Sequence, residues 1–222
     1  MTNRILVVAP HPDDEMLGCG GTLLRRRDEG AEIDWLIVTA MDEAHGWPAL
    51  AVQTRAQEIE KVAQLMGFTS VYQLAYPTAC LDQVDLAELV AKVGAIIKAR
   101  EPIEVYVPSF ADAHSDHRVV ADIASACAKW FRYPSIKRIL AYETLSETDF
   151  SLAAHRFRPN VFVDITSFLE RKLQILQVYA SELGQPPFPR SLAAVRALAT
   201  LRGAASGFVA AESFELLLER KG

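Results

Sequence analysis

The sequence has few of the features that mark exported, membrane-spanning or zinc-finger proteins. It contains only three cysteines, widely scattered and without a C-x-x-C pair, so neither a disulfide framework nor a finger is expected. No apolar run reaches the roughly 18 residues that cross a bilayer, and the first run is too short for a signal peptide. We therefore expect no transmembrane segment and a reducing, cytoplasmic compartment.

Positive charge is also in short supply. Lys and Arg number 23 against 28 Asp and Glu, which gives a net charge of −5 at pH 7, so no nucleic-acid partner is expected. Half of the 222 residues are hydrophobic and Gly and Pro number 11 each, which excludes a disordered chain, a collagen-like repeat and a coiled coil. This length is enough for one α/β domain with a core that needs no disulfides.

Strand-like apolar runs alternate with helical patterns along the chain, which is typical of βαβ units. Strands are predicted at 5–9, 33–39, 71–74, 104–107, 139–142 and 161–164. Helices are predicted at 15–29, 51–66, 85–100, 116–130, 167–183 (with Ser167 as N-cap), 191–201 and 210–220. The pattern predicts a single α/β domain over residues 1–222, with a Rossmann-like, mainly parallel sheet and helices on both faces.

The first predicted strand is followed directly by a dense polar cluster made of His11, Asp13, Asp14 and Glu15. Adjacent carboxylates raise each other's pKa unless a cation holds them ionised, and mixed nitrogen and oxygen ligands are typical of zinc sites. The alternative is a polar turn whose acids stabilise a helix N-terminus, and for Glu15 this alternative is equally strong. We interpret the whole cluster as part of a metal site.

A second polar cluster, His114-Ser-Asp-His117, follows the predicted strand 104–107. With a helix beginning near residue 115, His114 lies at the helix mouth and His117 one turn inside, so one ring can bind metal while the other stays free. Taken alone, the motif also fits a helix cap. Ligands of open α/β sheets bind beyond the carboxyl ends of the strands, where both clusters are expected. His155 is expected at the surface.

The motifs P-H-P-D-D-E at 10–15 and H-x-D-H at 114–117 together closely resemble the PIG-L or LmbE-like zinc-dependent N-deacetylases. The R-x-x-E segment at 55–58 and the R-G, G and A-E-x-F residues between 202 and 214 extend the resemblance over nearly the whole chain. It implies a metal-dependent hydrolase that removes acetyl from an N-acetylated amino sugar or glycoconjugate of the N-acetylglucosaminyl type. The products would be acetate and a free amine.

Each part of amide hydrolysis has candidate residues in these motifs. His11, Asp14 and His117 form a ligand trio that leaves one position of a tetrahedral ion open, and the resemblance gives them the same role. One Zn²⁺ per chain is expected, although Fe²⁺ or Co²⁺ would tolerate the same trio. Asp13 is the candidate general base, again in agreement with the resemblance. A protonated His114, oriented by Asp116, is the candidate to stabilise the oxyanion or protonate the leaving amine.

Three further side chains are candidates for substrate binding. Arg55 carries donors for a hydroxyl, carboxylate or phosphate, with a salt bridge to Glu58 as its alternative role. Glu15 is the second candidate, and His45 is the third because its loop resembles the Gly-bearing loop that follows the second strand in the family.

Two other functions stay open at this stage. One is a non-catalytic sugar- or nucleotide-binding α/β module, and the other is a metal-dependent esterase or phosphoesterase. A small-molecule N-acetyl sugar conjugate is the expected partner. The Leu- and Ala-rich predicted helices at the C-terminal end fit either an intramolecular core or the interface of a homo-oligomer, and we expect assembly.

Overall fold

One continuous β-sheet runs through the protein, whose computed structural model describes residues 3–152 and 156–221. Within those residues the sheet has seven strands in the order β3-β2-β1-β4-β5-β7-β6. The strands are β1 (Arg4–Ala9), β2 (Glu32–Ala40), β3 (Ser70–Pro77), β4 (Glu104–Pro108), β5 (Arg138–Tyr142), β6 (Val161–Asp164) and β7 (Ala211–Glu219). His155, expected at the surface, lies outside the described residues.

The order of the strands creates a reversal point between β1 and β4. From β1 the chain moves outward through β2 and β3, then returns to place β4 on the other side of β1. The pairs among these first five strands are parallel, and β7 is antiparallel to both β5 and β6. The prediction of a Rossmann-like, mainly parallel sheet is therefore confirmed.

Helices cover both faces of the sheet because the central strands are apolar on both sides. In β1, Ile5 and Val7 face one core, while Leu6 and Val8 face the other. The first core is covered by α1, α2, α5 and α6, and the second by α3 and α4. These helices are α1 (Asp14–Asp28), α2 (Ala49–Met66), α3 (Leu86–Arg100), α4 (Ser115–Cys127), α5 (Leu169–Leu176) and α6 (Leu192–Ser206).

The sequence pattern predicts a helix over 210–220, but the structure forms strand β7 there. Leu, Ala and Glu dominate this segment, so its intrinsic preference is helical, and tertiary contacts override that preference. Gly207, with φ of 83°, ends α6 in the left-handed region and lets the chain reverse. Glu212 on β7 then accepts hydrogen bonds from the backbone amides of Gly21 and Thr22 in α1, at 2.9 and 2.6 Å.

The helix predicted at 167–183 is shorter in the structure. It spans Leu169–Leu176, and its N-cap is Phe168 rather than the expected Ser167. The residues beyond Leu176 form single turns instead of continuing the helix. This change of direction brings Tyr179 beneath the polar cluster that follows β1, where its hydroxyl donates to Glu15 at 2.9 Å.

The expectation that no segment spans a membrane can be compared with the helices of the structure. Among the described residues, none of the helices combines the length and the apolar character that a bilayer crossing demands. All three cysteines are free. The cytoplasmic location and the homo-oligomer stay predictions.

Helix α1 lies close to β5 because Gly18 faces the ring of Tyr142. A Cβ atom at Gly18 would come within 2.2 Å of the Tyr142 Cδ2 atom. Tyr142 is fully buried and its hydroxyl donates to the carbonyl oxygen of Val8 at 2.9 Å, so the ring has little freedom to yield. This contact sets how deeply α1 sits on the sheet.

Gly18→Ala is expected to destabilise the fold. The clash with Tyr142 should outweigh the helix-propensity gain of about 1 kcal/mol and lower the free energy of unfolding by about 1–3 kcal/mol. Denaturant unfolding monitored by circular dichroism measures this change. The control is Asp28→Ala at the exposed end of the same helix, expected to stay within about 0.5 kcal/mol of the wild type. Equal stability of both variants would contradict the packing argument.

Candidate metal centre and active site

The two polar clusters meet at the reversal point of the sheet. The loop after β1 leads into α1 on one face, and the loop after β4 leads into α4 on the other face. Because β1 and β4 are neighbouring parallel strands, both loops emerge at the same edge and leave a crevice between them. The structure thereby brings together His11, Asp14, His114 and His117.

Three donor atoms in this crevice form a nearly equilateral triangle. His11 Nδ1 lies 3.3 Å from Asp14 Oδ2 and 3.4 Å from His117 Nε2, and the latter two atoms are 3.2 Å apart. A tetrahedral ion with bonds of about 2.0–2.1 Å holds its ligand atoms about 3.3 Å apart. The donor set and its spacing therefore fit a zinc-sized ion with one position left open.

The outer nitrogen of each of these imidazoles is bound to a carboxylate. His11 Nε2 lies 3.0 Å from Asp116 Oδ2, and His117 Nδ1 lies 2.8 Å from Asp112 Oδ2. A carboxylate can only accept, so these outer nitrogens carry protons, and once each ring is neutral its inner nitrogen presents a lone pair to the triangle. This carboxylate–histidine arrangement is the usual support of metal-binding histidines.

Asp112 has no role in the motifs considered from the sequence. It is buried, and its other oxygen accepts a hydrogen bond from the Thr148 hydroxyl at 2.6 Å. Its position could have been used to predict it from the sequence, because Asp112 lies in the loop that leads to His117, five residues before that histidine. A metal-binding imidazole requires an acceptor for its second nitrogen, and a nearby aspartate is a natural choice.

The charges of the trio depend on one another. Burial alone would raise the pKa of Asp14, but His117 and His11 hold that pKa well below its usual range. Burial opposes a charge on His11, yet hydrogen bonds to Asp116 and Asp14 raise its pKa to about 9. His117 behaves in the same way, with Asp14 and Asp112 raising its pKa to about 10. The protein thus builds a concentrated negative site that a cation can satisfy.

Asp13 is buried beside the triangle in a strained backbone conformation. Its φ of 135° lies in the left-handed half of the map, at a cost of order 1–3 kcal/mol for a non-glycine residue. Burial and the neighbouring carboxylate of Asp14 raise the pKa of Asp13 to about 7. Arg190 Nη1 donates to its Oδ2 at 3.2 Å, and no protein donor reaches its Oδ1 among the described residues. One oxygen is thus free to exchange a proton.

Glu15 does not contact the crevice, which corrects its assignment to substrate binding. Its side chain is fully buried, and its oxygens accept the Asp13 backbone amide at 3.1 Å and the Tyr179 hydroxyl at 2.9 Å. Burial, followed by the charge of Asp13, raises the pKa of Glu15 to about 8. Glu15 therefore fixes the strained backbone of Asp13 by accepting its amide, and Tyr179 holds the Glu15 carboxylate in place.

His114 faces the crevice, but its partner differs from the one expected. Its Nδ1 accepts the backbone amide of Asp116 at 3.1 Å, which leaves the proton of a neutral ring on Nε2. The Asp116 carboxylate instead binds His11 and the amides of Ala79 and Leu81, the latter two at 2.7 and 3.1 Å. The expected orientation of His114 by that carboxylate is therefore corrected.

The expectation that His114 is protonated is also corrected. Burial and the nearby rings of His11 and His117 lower the pKa of His114 to about 4, so it is neutral at pH 7. His11, His114 and Asp116 offer a second set of donor atoms within 4.8 Å of one another. That set is less suited to an ion because the Asp116 carboxylate is already bound by two backbone amides.

Arg55 lines the crevice and is held on several sides. Its Nη1 donates to the carbonyl of Pro12 at 2.8 Å, and its Nη2 contacts the Ser181 hydroxyl and the Glu182 carboxylate. The expected pairing with Glu58 is present at 2.9 Å, although the two atoms are not aligned for a hydrogen bond. Arg55 therefore supports the crevice wall as well as lining it.

His45 does not reach the crevice, so its assignment to substrate binding is also corrected. Half of its side chain is exposed, and its Nδ1 pairs with Asp42 at 2.8 Å within its own short loop. The same connection instead sends Met41 and Trp47 to the crevice. Trp47 carries a large amphipathic surface at a position where the sequence pattern gave no periodic signal.

The crevice is an open cleft of about 200 Å³. It is lined by His11, Pro12, Asp13, Asp14, Met41, Trp47, Arg55, Thr78, His114, His117, Thr144, Ser146, Glu147, Glu182 and Arg190. Five of these, Thr144, Ser146, Glu147, Glu182 and Arg190, come from loops far along the chain that no motif identified.

Comparison with known proteins identifies similar proteins that match along most of the chain. The diacetylchitobiose deacetylase of Thermococcus kodakarensis is 24% identical over 224 aligned residues, which cover 96% of this chain and 83% of that protein. The conserved protein TT1542 from Thermus thermophilus has a TM-score of 0.79 and 27% identity, and the match covers 100% of this chain and 97% of that chain.

A third match has the same fold and is named for a different activity. GalB, the 4-carboxy-2-hydroxymuconate hydratase of Pseudomonas putida, has a TM-score of 0.76 at 19% identity, covering 100% of this chain and 98% of that chain. The fold alone therefore does not define the reaction. The family model described as PIG-L, GlcNAc-PI de-N-acetylase, matches residues 6–128, from β1 to just beyond α4. This range spans more than half of the chain and both metal-site loops, and the protein belongs to the PIG-L family.

Proposed function

We propose that this protein is a zinc-dependent hydrolase that removes the acetyl group from an N-acetylglucosamine-type sugar or conjugate. The observation that carries the proposal is the triangle of His11, Asp14 and His117 donor atoms at 3.2–3.4 Å beside the free oxygen of Asp13. The description of the family model and the name of the Thermococcus relative both refer to N-acetylated amino sugars, which supports this substrate class.

His11, Asp14 and His117 would hold the ion, and two imidazoles with one carboxylate suit zinc, with Fe²⁺ or Co²⁺ as tolerated substitutes. When bound, such an ion polarises a carbonyl group and lowers the pKa of water to about 7. The remaining steps depend on the protein's own side chains.

Asp13 is the proposed general base. Its pKa of about 7 suits proton transfer near neutral pH, and its Oδ1 has no protein donor among the described residues, so that atom can accept the proton of the attacking water. The hydrogen bond from Arg190 to Oδ2 fixes the orientation of the carboxylate. The same Asp13 then returns the proton to the departing amine as the carbon–nitrogen bond breaks.

His114 is the proposed stabiliser of the tetrahedral oxyanion. Because its Nδ1 accepts a backbone amide, its Nε2 is the donor of the neutral ring. A neutral donor avoids placing a further positive charge beside the ion and needs no proton uptake. Removing one such donor typically costs about 10²–10³ in kcat.

Zinc-dependent amine release from N-acetylated sugars is the expected activity. The zinc-loaded protein should release a primary amine from N-acetylglucosamine glycosides and from N,N′-diacetylchitobiose, and a chelator should abolish this release. His11→Ala should lose metal and turnover together. Asp13→Asn should keep metal and lower kcat by about 10²–10⁴.

The assay pairs amine detection with elemental analysis of every variant. Asp122→Asn, at an exposed position of α4, is the matched control and should retain metal and turnover. Normal turnover by Asp13→Asn would overturn the assignment of the base. Zinc-dependent hydrolysis of esters or phosphoesters without amine release would instead favour the phosphoesterase alternative.

The affinity for zinc should depend on the Asp112 carboxylate, which is hydrogen-bonded to His117, and on the Thr148 hydroxyl, which donates to Asp112. Thr148→Val removes the hydroxyl that donates to Asp112. Asp112→Asn removes the negative charge of the carboxylate that accepts the proton of His117 Nδ1. Each change is expected to weaken zinc binding about 10–100-fold, because outer partners orient the ligand. Competition with a fluorescent chelator measures the affinity.

Thr148→Ser should restore most of the affinity because it keeps the hydroxyl. Thr200→Val, at an exposed position of α6, is the control for the loss of a threonine hydroxyl. Wild-type affinity in both Thr148→Val and Asp112→Asn would show that these residues do not support the ion.

Zinc binding should release protons and weaken steeply as the pH falls. His11 and His117 have pKa values of about 9 and 10 before an ion binds, so both are protonated at pH 7 and must each lose a proton to act as ligands. Loss of about two protons lowers the apparent affinity about 100-fold for each unit of falling pH. Calorimetric titrations in buffers of different ionisation enthalpy count these protons. An affinity that is constant between pH 6 and pH 8 would contradict this reasoning.

A further inference from the structure

We propose that Glu147 selects against anionic substrates, so that the cleft takes neutral or cationic amino-sugar conjugates. This inference rests on the proposed deacetylase function and adds the charge class of the substrate to it. The observations that carry it are the fixed position of Glu147 in the cleft, the lack of an ion-pair partner for its carboxylate among the described residues, and the pairing of both guanidinium groups that line the same cleft.

The loop after β5 holds Glu147 in a defined position. The amide of Glu147 donates to the carbonyl of Thr144 at 3.1 Å, and its own carbonyl accepts the amide of Ala113 at 3.1 Å. Ser146, with φ of 77°, makes the tight turn that precedes it. The loop is also attached to the metal site, since Thr148 donates to Asp112 at 2.6 Å. Glu147 is therefore held in place as one of the residues that line the same cleft as His117.

Among the described residues, the Glu147 carboxylate makes no direct ion pair. Its hydrogen-bond partner in the protein is the Ser146 hydroxyl at 3.2 Å. Across residues 3–152 and 156–221, no cationic nitrogen approaches this carboxylate within the 4.0 Å of an ion pair. The side chain is partly buried against the cleft wall, so solvent screens its charge less than that of a surface glutamate.

The two guanidinium groups of the cleft are already neutralised. Arg55 contacts the carboxylates of Glu58 and Glu182. Arg190 lies 3.2 Å from Asp13 Oδ2 and 3.3 Å from Glu182 Oε2. Neither cation is therefore available to pair with a phosphate or carboxylate of a substrate without losing an existing partner.

The carboxylates that line the cleft outnumber its guanidinium groups by two. Its carboxylates are Asp13, Asp14, Glu147 and Glu182, and its guanidinium groups are Arg55 and Arg190. A divalent ion on neutral histidines would only balance this excess. Because the acetamide must reach the metal triangle, the remainder of a single sugar lies within the field of Glu147. Hydroxyl groups can donate to that carboxylate, whereas an anionic substituent is repelled.

Three matched substrates measure this selection at the anomeric position of N-acetylglucosamine. They are the methyl glycoside, the 2-aminoethyl glycoside and the 1-phosphate, assayed at pH 8 and low salt. For the wild type, we expect kcat/KM for the 1-phosphate to be about tenfold below that for the methyl glycoside. The 2-aminoethyl glycoside should equal or exceed the methyl glycoside. Raising the salt concentration should shrink these differences.

Glu147→Gln keeps the shape of the side chain and removes its charge. It should reduce the tenfold discrimination to about twofold, while Glu60→Gln on the exposed face of α2 should leave the wild-type ratio unchanged. Metal content, measured on each variant, detects any disturbance of the attached metal-site loop. A wild type that prefers the 1-phosphate, or a ratio unchanged by Glu147→Gln, would overturn the inference.

Failure of the deacetylase function itself would be recognised separately. In that case none of the three substrates would release acetate with the zinc-loaded wild type. Calorimetric binding of the same three sugars to zinc-loaded Asp13→Asn then tests the charge selection directly. Tighter binding of the 1-phosphate than of the methyl glycoside would contradict it, and the reverse order would support it.

Discussion

The site depends on keeping two imidazoles and one carboxylate of different chain segments within 3.4 Å of each other. Such proximity is unfavourable for unpaired polar groups in a buried place, so the surrounding structure must enforce it. Asp112 and Asp116 fix the outer nitrogens of the rings, and Glu15 with Tyr179 fixes the strained turn that carries Asp13. Packing of Gly18 against Tyr142 sets how deeply α1, the helix that begins at Asp14, sits on the sheet.

The sequence was most informative where short-range pattern and topology coincide. The motifs at 10–15 and 114–117 follow strands that are neighbours in the sheet, so the meeting of their side chains could be predicted from the alternation of strands and helices. Supporting residues such as Arg190 could not, because their partners lie in distant segments of the chain. Strand β7 was missed for a related reason, since pairing with β5 and β6 overrides a helical composition.

The same dependence on distant loops explains why the reaction cannot be inferred from the fold. GalB has the architecture of this chain and is named a hydratase, so the architecture alone does not define the reaction. In this protein the crevice combines a ligand trio, an aspartate with a pKa of about 7 and a neutral histidine donor. The charge of Glu147 and the pairing of the two arginines then limit which substrate can enter.

The most direct test of this account is a crystal structure of the zinc-loaded protein with anomalous data at the zinc edge. We predict one ion per chain bound to His11 Nδ1, Asp14 Oδ2 and His117 Nε2, with zinc–nitrogen distances of about 2.0–2.1 Å. His11 Nε2 should stay on Asp116 and His117 Nδ1 on Asp112. An ion bound instead through His11 Nε2, His114 and Asp116, or a trio too widely separated to share an ion, would contradict the account.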